Sequence, residues 1–115
     1  MIEPLSFQQV DDYIWLTPRN ANLDLGSGSQ AVALCDQIEQ HGIRRLVVDL
    51  SQLPYFGSSL LEFFILLWRR IGQGEGRLII YKPSSVGREV LAAARLNQLW
   101  PIAEERDAAI RLVRE

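Results

Sequence analysis

Few side chains in this sequence have types and spacing suited to chemistry, and two adjacent serines are the most suggestive. Ser58 and Ser59 lie within VVDLSQLPYFGSSLLEFFILLWRR (47–70), where a hydrophobic run stops at Asp49 and restarts after the serines. A serine at the start of an apolar helix can cap it, because its hydroxyl accepts a hydrogen bond from an unpaired backbone N–H. The same N–H groups favour negative charge, so a phosphate on a hydroxyl here would be stabilised. The pattern therefore indicates a helix cap, a phosphorylation site, or both.

The other reactive side chains form no recognisable catalytic or metal-binding set. The chain has one cysteine, Cys35, and one histidine, His41, and it contains no Cys-x-x-Cys, Gly-x-Ser-x-Gly or phosphate-binding glycine motif. Cys35 is expected in the core and His41 in solvent. Asp49 ends a predicted strand, where ligand crevices of α/β sheets lie, but an Asp at that place more often caps a turn. We therefore expect no enzyme, no metal and no cofactor.

Composition favours one soluble domain covering residues 1–115. The chain is 48% hydrophobic and 23% charged, which is ordinary for a globular protein. A net charge of -2 and a pI near 5.4 argue against direct binding of nucleic acid. The longest apolar run, FFILLW, is far shorter than the roughly 20 residues of a membrane span. The amino-terminal segment does not resemble a signal peptide, so we expect a cytoplasmic location without a membrane span.

Hydrophobic periodicity predicts strands alternating with helices. Strands are predicted over 5–10, 13–17, 44–50, 78–82 and 100–104, and the loop 18–29 holds a possible short strand at Leu23 and Leu25. Helices are predicted over 29–42, 58–71, 84–97 and 104–115. This order predicts mostly parallel strands joined by right-handed crossovers, in an α/β sandwich with helices packed on a mixed sheet.

Helix ends follow from polar residues that flank the apolar periods. In the first predicted helix, Ser27 and Gln30 can form a capping box, and Gly42 can follow the last turn. In the second, Ser58 is expected to cap the helix, with its oxygen toward the N–H groups of residues 60 and 61.

Buried faces are predicted from helical spacing. Leu61, Ile65 and Trp68 should face the sheet, with Glu62 and Phe64 on other faces. In the third helix, the residues predicted to point inward are Val90, Leu91 and Ala94.

The segment LVVDLSQLPYFGSSLLEFF (46–64) resembles the signature of STAS domains, the fold of bacterial anti-sigma factor antagonists. That signature is an apolar strand, Asp-Leu-Ser, then Asp-Ser-Ser-Gly-Leu and an apolar helix. Gly57 stands where the family has Asp, and Leu60 where it has Gly. The segments 20–38 and 76–113 and the order of elements also fit. The resemblance implies a STAS-like sandwich, with a mixed, mostly parallel sheet of about four to five strands and about four helices.

The resemblance also implies a function. In these antagonists a serine of the motif is phosphorylated by an anti-sigma factor that is also a serine kinase, and the unphosphorylated form binds the anti-sigma factor and frees the sigma factor. By position that serine is Ser58, with Ser59 as the alternative. The partner surface implied in the same way comprises Asn22, Leu23, Ser27, Tyr55, Phe56, Gly57, Ser58, Ser59, Leu60 and Glu62.

Two other functions remain open from the sequence. One is a STAS subunit or scaffold of a membrane complex, such as a phospholipid-transport ABC system, that needs no phosphorylation. The other is a small nucleotide- or ligand-binding module that uses the crevice at the ends of strands 44–50 and 78–82. The sequence also leaves a homodimer open.

Overall fold

A computed structural model describes residues 5–19, 29–71 and 76–115 of the chain. The strands are β1 (Leu5–Val10), β2 (Tyr13–Pro18), β3 (Arg45–Asp49), β4 (Arg77–Tyr81) and β5 (Ile102–Ala103). The helices are α1 (Gln30–Gln40), α2 (Ser58–Ile71), α3 (Ser85–Ala93) and α4 (Arg106–Arg114), with a 3₁₀ helix over Leu96–Gln98 between α3 and β5. The predicted short strand at Leu23 and Leu25 lies outside the described residues.

The five strands form one mixed sheet in the order β1-β2-β3-β4-β5. β1 and β2 pair antiparallel, and Asp11 takes a positive φ of 53° in the turn between them. The remaining neighbours pair in parallel. β3 is central, and its Val47 and Val48 side chains point to opposite faces and are both fully buried. This burial explains the continuous apolar run that predicted a central strand.

Each face of the sheet carries its own core. The larger core lies between the sheet and the helices α1, α2 and α3, and contains alternate strand residues such as Ile14, Leu46 and Ile80. The smaller core lies under α4 and contains the intervening strand residues with Ala109 and Val113. The predicted sandwich is thereby confirmed.

The beginning of α1 differs from the prediction. Ser29 precedes the helix, and its hydroxyl accepts a hydrogen bond from the Val32 N–H at 3.2 Å. A capping box of Ser27 with Gln30 is therefore wrong, because the helix begins only at Gln30; Ser27 itself lies outside the described residues. Gly42 follows the helix end with φ 70°, as predicted.

The buried face of α2 was also predicted wrongly. The fully buried residues include Leu60, Phe64 and Leu67, whereas Leu61, Ile65 and Trp68 are half-buried along the edges of this face. Because the helix is apolar around most of its circumference, spacing alone could not choose between neighbouring faces. Phe64, expected on another face, is central to the core, and Glu62 is exposed as expected.

α3 is shorter than predicted. It ends at Ala93 because Arg95 adopts a left-handed conformation with φ 61°. Leu91 is buried as predicted and Val90 is half-buried, but Ala94 is exposed. The following 3₁₀ helix returns the chain to the core through Leu96.

Candidate functional site

The segment between β3 and α2, residues 50–57, is the candidate switch loop, and the Asp49 carboxylate holds its first turn. One oxygen of Asp49 accepts hydrogen bonds from the Ser51 backbone N–H at 2.9 Å and the Ser51 hydroxyl at 2.6 Å. The other oxygen accepts one from the Trp15 indole Nε1–H at 3.1 Å. The side chain thus caps a turn, as expected. With both oxygens engaged, it offers no argument for the alternative of a ligand site at the strand ends.

Ser84 fixes the far part of the switch loop to α3. Its hydroxyl donates to the Pro54 carbonyl at 2.7 Å and accepts from the Gly87 N–H at 3.0 Å, so one side chain both caps α3 and binds the loop. A Cβ built on Gly87 would lie 3.0 Å from the Phe56 ring. Phe56 also makes an edge-to-face contact with Phe64, with ring centroids 6.3 Å apart. The loop is therefore tied to both β3 and α3.

Ser58 is the first residue of α2 and is exposed. The Leu61 N–H donates to the Gly57 carbonyl at 3.4 Å, so Gly57 occupies the position before the first turn. The prediction that Ser58 caps the helix is wrong by one residue. Its hydroxyl instead lies on the surface of the first helical turn.

Some of the predicted partner residues are exposed, whereas others are buried beneath them. Tyr55 is 59% exposed, and Glu62 and Ser58 are exposed as well. Phe56 and Leu60 are 5% and 0% exposed, so they hold the surface from beneath and cannot present their side chains to a partner. Gly57 and Ser59 are half-buried, and the predicted residues Asn22, Leu23 and Ser27 lie outside the described residues.

Sequence reasoning missed Val86, which is 48% exposed in the first turn of α3. The contacts of Ser84 with Pro54 and of Gly87 with Phe56 bring this turn against the switch loop that carries Tyr55. No local signal could have found it, because Val86 lies four residues before Val90, which the sequence predicts to point inward. Tyr55 and Val86 therefore provide exposed apolar area on and beside the switch loop that leads to Ser58.

The electrostatic setting of Ser58 comes from α2 itself. The first turn of the helix contains no acidic side chain. The partial positive charge of its unpaired N–H groups is therefore not offset by a carboxylate of the same turn. Glu62, one turn later, is the first acidic residue of the helix. In the described part of the chain, no cluster of His, Cys, Asp or Glu could hold a metal ion. None of the described helices is both long and apolar enough to cross a membrane.

A family model described as the STAS domain matches residues 9–109. The chain belongs to the STAS domain family. This STAS domain is 32% identical over 76 residues to BtrV of Bordetella bronchiseptica, a candidate anti-sigma factor antagonist. That match covers 66% of this chain and 65% of BtrV, so it spans about two thirds of either protein.

Solved structures with the same fold include tm1081 of Thermotoga maritima, a candidate anti-sigma factor antagonist. It has a TM-score of 0.78 and 19% identity, covering 96% of this chain and 95% of that one. The anti-sigma factor antagonist SpoIIAA in its unphosphorylated form has a TM-score of 0.72 and 17% identity, covering 94% and 95%. The predicted STAS fold is confirmed.

Proposed function

We propose that this STAS domain is a non-enzymatic, cytoplasmic switch that binds an anti-sigma factor serine kinase and is controlled by phosphorylation of Ser58. The observation that carries the proposal is the position of Ser58. It is an exposed hydroxyl on the first turn of α2, next to a loop anchored by Asp49 and Ser84. Similarity to BtrV and SpoIIAA supports a partner of the anti-sigma factor kind.

A phosphate on Ser58 would change the surface without breaking the fold. The hydroxyl is exposed, so the added group needs no space in the core, and the unpaired N–H groups of the first turn favour its charge. Glu62 lies four residues later and opposes that charge by a few tenths of a kcal/mol, as like charges at this spacing do. The net effect on stability is therefore small.

Binding of the partner would depend on the same surface. Tyr55 and Val86 offer exposed apolar area on and beside the loop that leads to Ser58, and a partner that covers this loop and the start of α2 would desolvate the phosphate as well. Burying an unpaired charge in such a contact is costly. Phosphorylation would then release the partner, which is the direction that the STAS resemblance implies.

The direct test is to incubate the purified protein with ATP and a serine-kinase anti-sigma factor from the same organism. Mass spectrometry should show one added phosphate in the wild type and in Ser59→Ala, and none in Ser58→Ala. If Ser58→Ala still gains a phosphate, the phosphorylated residue is not Ser58. If the wild type gains none, this kinase does not control the protein.

The alternative is a STAS subunit or scaffold that binds its partner without phosphorylation. The position of Glu62 favours it, because a carboxylate one turn from Ser58 weakens the helix-end preference for a phosphate. Ser58→Asp separates the two functions by calorimetry with the partner. A switch predicts at least about tenfold weaker binding, since one desolvated charge costs more than about 1.4 kcal/mol. Undiminished binding by a folded variant would support the scaffold.

A further inference from the structure

A second surface lies at the opposite ends of the parallel strands from Ser58. Two depressions with volumes of about 860 and 770 Å³ share Gly42, Ile43 and Arg44 as lining residues and therefore adjoin each other; together they are called the groove. The groove lies at the amino-terminal ends of the parallel strands, because Arg45 begins β3 and Arg77 begins β4. Ser58 follows the carboxyl end of β3 and is therefore separated from the groove by the length of that strand.

Positive charge on this groove is only partly compensated. Of the five arginines that line it, Arg70 pairs with Asp36 at 2.5 Å and Glu39 at 3.7 Å, and Arg45 donates to the Val113 carbonyl at 3.0 Å. The other three make no ion pair or side-chain hydrogen bond to any residue that the structure describes; these are Arg44, Arg69 and Arg77.

The acidic residues of the groove do not supply the missing partners. Asp36 and Glu39 are engaged by Arg70, and Asp12 lies 3.9 Å from Arg114. Glu115, at the carboxyl end of the chain, also lines the groove but is outside ion-pair distance of any described arginine. Unlike the chain as a whole, which is net acidic, this surface keeps guanidinium groups that pair with none of the residues in 5–19, 29–71 and 76–115.

Apolar side chains interrupt the arginines. Leu99 is 54% exposed, one of three large hydrophobic side chains identified as exposed in the described part of the chain. Trp68 is half-buried, lines the same depression, and rests edge-to-face on buried Trp100. A compact anion would use the guanidinium groups and leave these apolar groups in water. An extended segment with alternating acidic and apolar side chains would use both.

We propose that this basic groove, defined by Arg44, Trp68, Arg69, Arg77 and Leu99, binds an acidic, leucine- or phenylalanine-containing segment of a protein partner. Guanidinium groups bind carboxylates through paired hydrogen bonds, and Leu99 and Trp68 receive the apolar side chains. Because the groove and Ser58 lie at opposite ends of β3, both surfaces can be occupied together. The groove makes this STAS domain a connector between two proteins and does not depend on phosphorylation at Ser58.

The test measures binding of a short synthetic peptide of Glu-Glu-Leu repeats, blocked at both ends, by isothermal titration calorimetry at low salt. Arg44→Glu and Arg69→Glu reverse exposed charges and should each weaken binding at least about tenfold. Arg88→Glu is the matched control, a partly exposed arginine of α3 whose ion pair with Glu104 is superficial, and should bind as the wild type does. Ser58→Asp should also leave the peptide affinity unchanged.

Three controls complete the experiment. A peptide with Gln in place of Glu should bind at least about tenfold more weakly than the acidic peptide, because it lacks the charge-assisted bonds. No binding of the acidic peptide at roughly millimolar concentration, or equal binding by the Arg44→Glu variant, would overturn the proposal. Equal or tighter binding of single-stranded oligothymidine would overturn it in favour of a phosphate-binding surface.

Circular dichroism must show that each variant is folded. If the charge-reversal variants do not fold, Arg44→Gln and Arg69→Gln replace them in the same titrations.

Discussion

Replacing Asp49 by Asn tests whether a single carboxylate holds the switch loop. All three groups bonded to Asp49 are donors: the Trp15 indole N–H, the Ser51 N–H and the Ser51 hydroxyl. A carboxylate accepts on both oxygens, whereas an amide of the same shape accepts on one side and donates on the other. Whichever way the amide introduced by Asp49→Asn turns, its NH₂ group faces the indole N–H or the Ser51 N–H.

The cost follows from that mismatch. A buried donor left without an acceptor costs about 1–3 kcal/mol, and the bond that remains loses its ionic character. We expect Asp49→Asn to lower the free energy of unfolding by about 1–3 kcal/mol. For a domain of 115 residues, each kcal/mol corresponds to a fall of roughly 4 °C in Tm.

Urea denaturation followed by circular dichroism gives the free energy, and hydrogen exchange shows where the effect is located. Leu53 N–H donates to the Leu50 carbonyl at 3.1 Å inside the switch loop, so its exchange should accelerate more than that of Val47 in β3. Glu62→Gln, which neutralises an exposed carboxylate, should change stability by no more than about 0.5 kcal/mol. A cost below about 0.5 kcal/mol for Asp49→Asn would show that the loop does not depend on this carboxylate.

The remaining predictions concern packing and pH. Phe64→Ala should lower the free energy of unfolding in urea by about 3–5 kcal/mol, and by more than Leu61→Ala, because only Phe64 is fully buried; equal costs would contradict the observed face of α2. Burial raises the pKa of the Cys35 thiol from 9.0 to about 11. The contribution of the protonated thiol to the free energy of unfolding is therefore complete below pH 9 and is lost as pH rises toward 11. Between pH 8 and pH 10 the wild type should therefore lose about 1.4 kcal/mol more than Cys35→Val in the same denaturation assay, and equal losses would refute this. Gly87→Ala should lower Tm, because the new methyl group meets the Phe56 ring at 3.0 Å; an unchanged or higher Tm would show that the ring moves aside freely.

The sequence predicted those parts of the fold that one strong local pattern specifies. The apolar run around Val47 identified a strand buried on both faces, and Gly42 marked the end of α1. The face of α2 could not be predicted, because Leu60 and Leu61 are the same residue type at neighbouring positions. Packing against α1 and the sheet, which the sequence does not display, decides between them.

The sequence predicted where the candidate site lies along the chain, but it did not predict the contacts that hold the switch loop in place. Ser58 and Tyr55 are exposed as a surface role requires, whereas Phe56, although next to Tyr55, turns into the core. The contact of Ser84 with Pro54 joins residues thirty positions apart, and no local pattern predicts such a contact. Val86 was missed for the same reason, since its place beside the switch loop depends on this contact.

The strand order of the sheet has a consequence for how the chain can fold as it is synthesised. Each described strand from β2 to β5 pairs with the described strand that precedes it along the chain. None of these five strands has to wait for a later one to be inserted between it and its neighbour. The β1–β2 hairpin can form first, and each parallel strand can then add to the growing edge as it leaves the ribosome. β5, the last of these strands, has only two residues and precedes α4, so the described strands can all be in place before α4 emerges and covers the second face of the sheet.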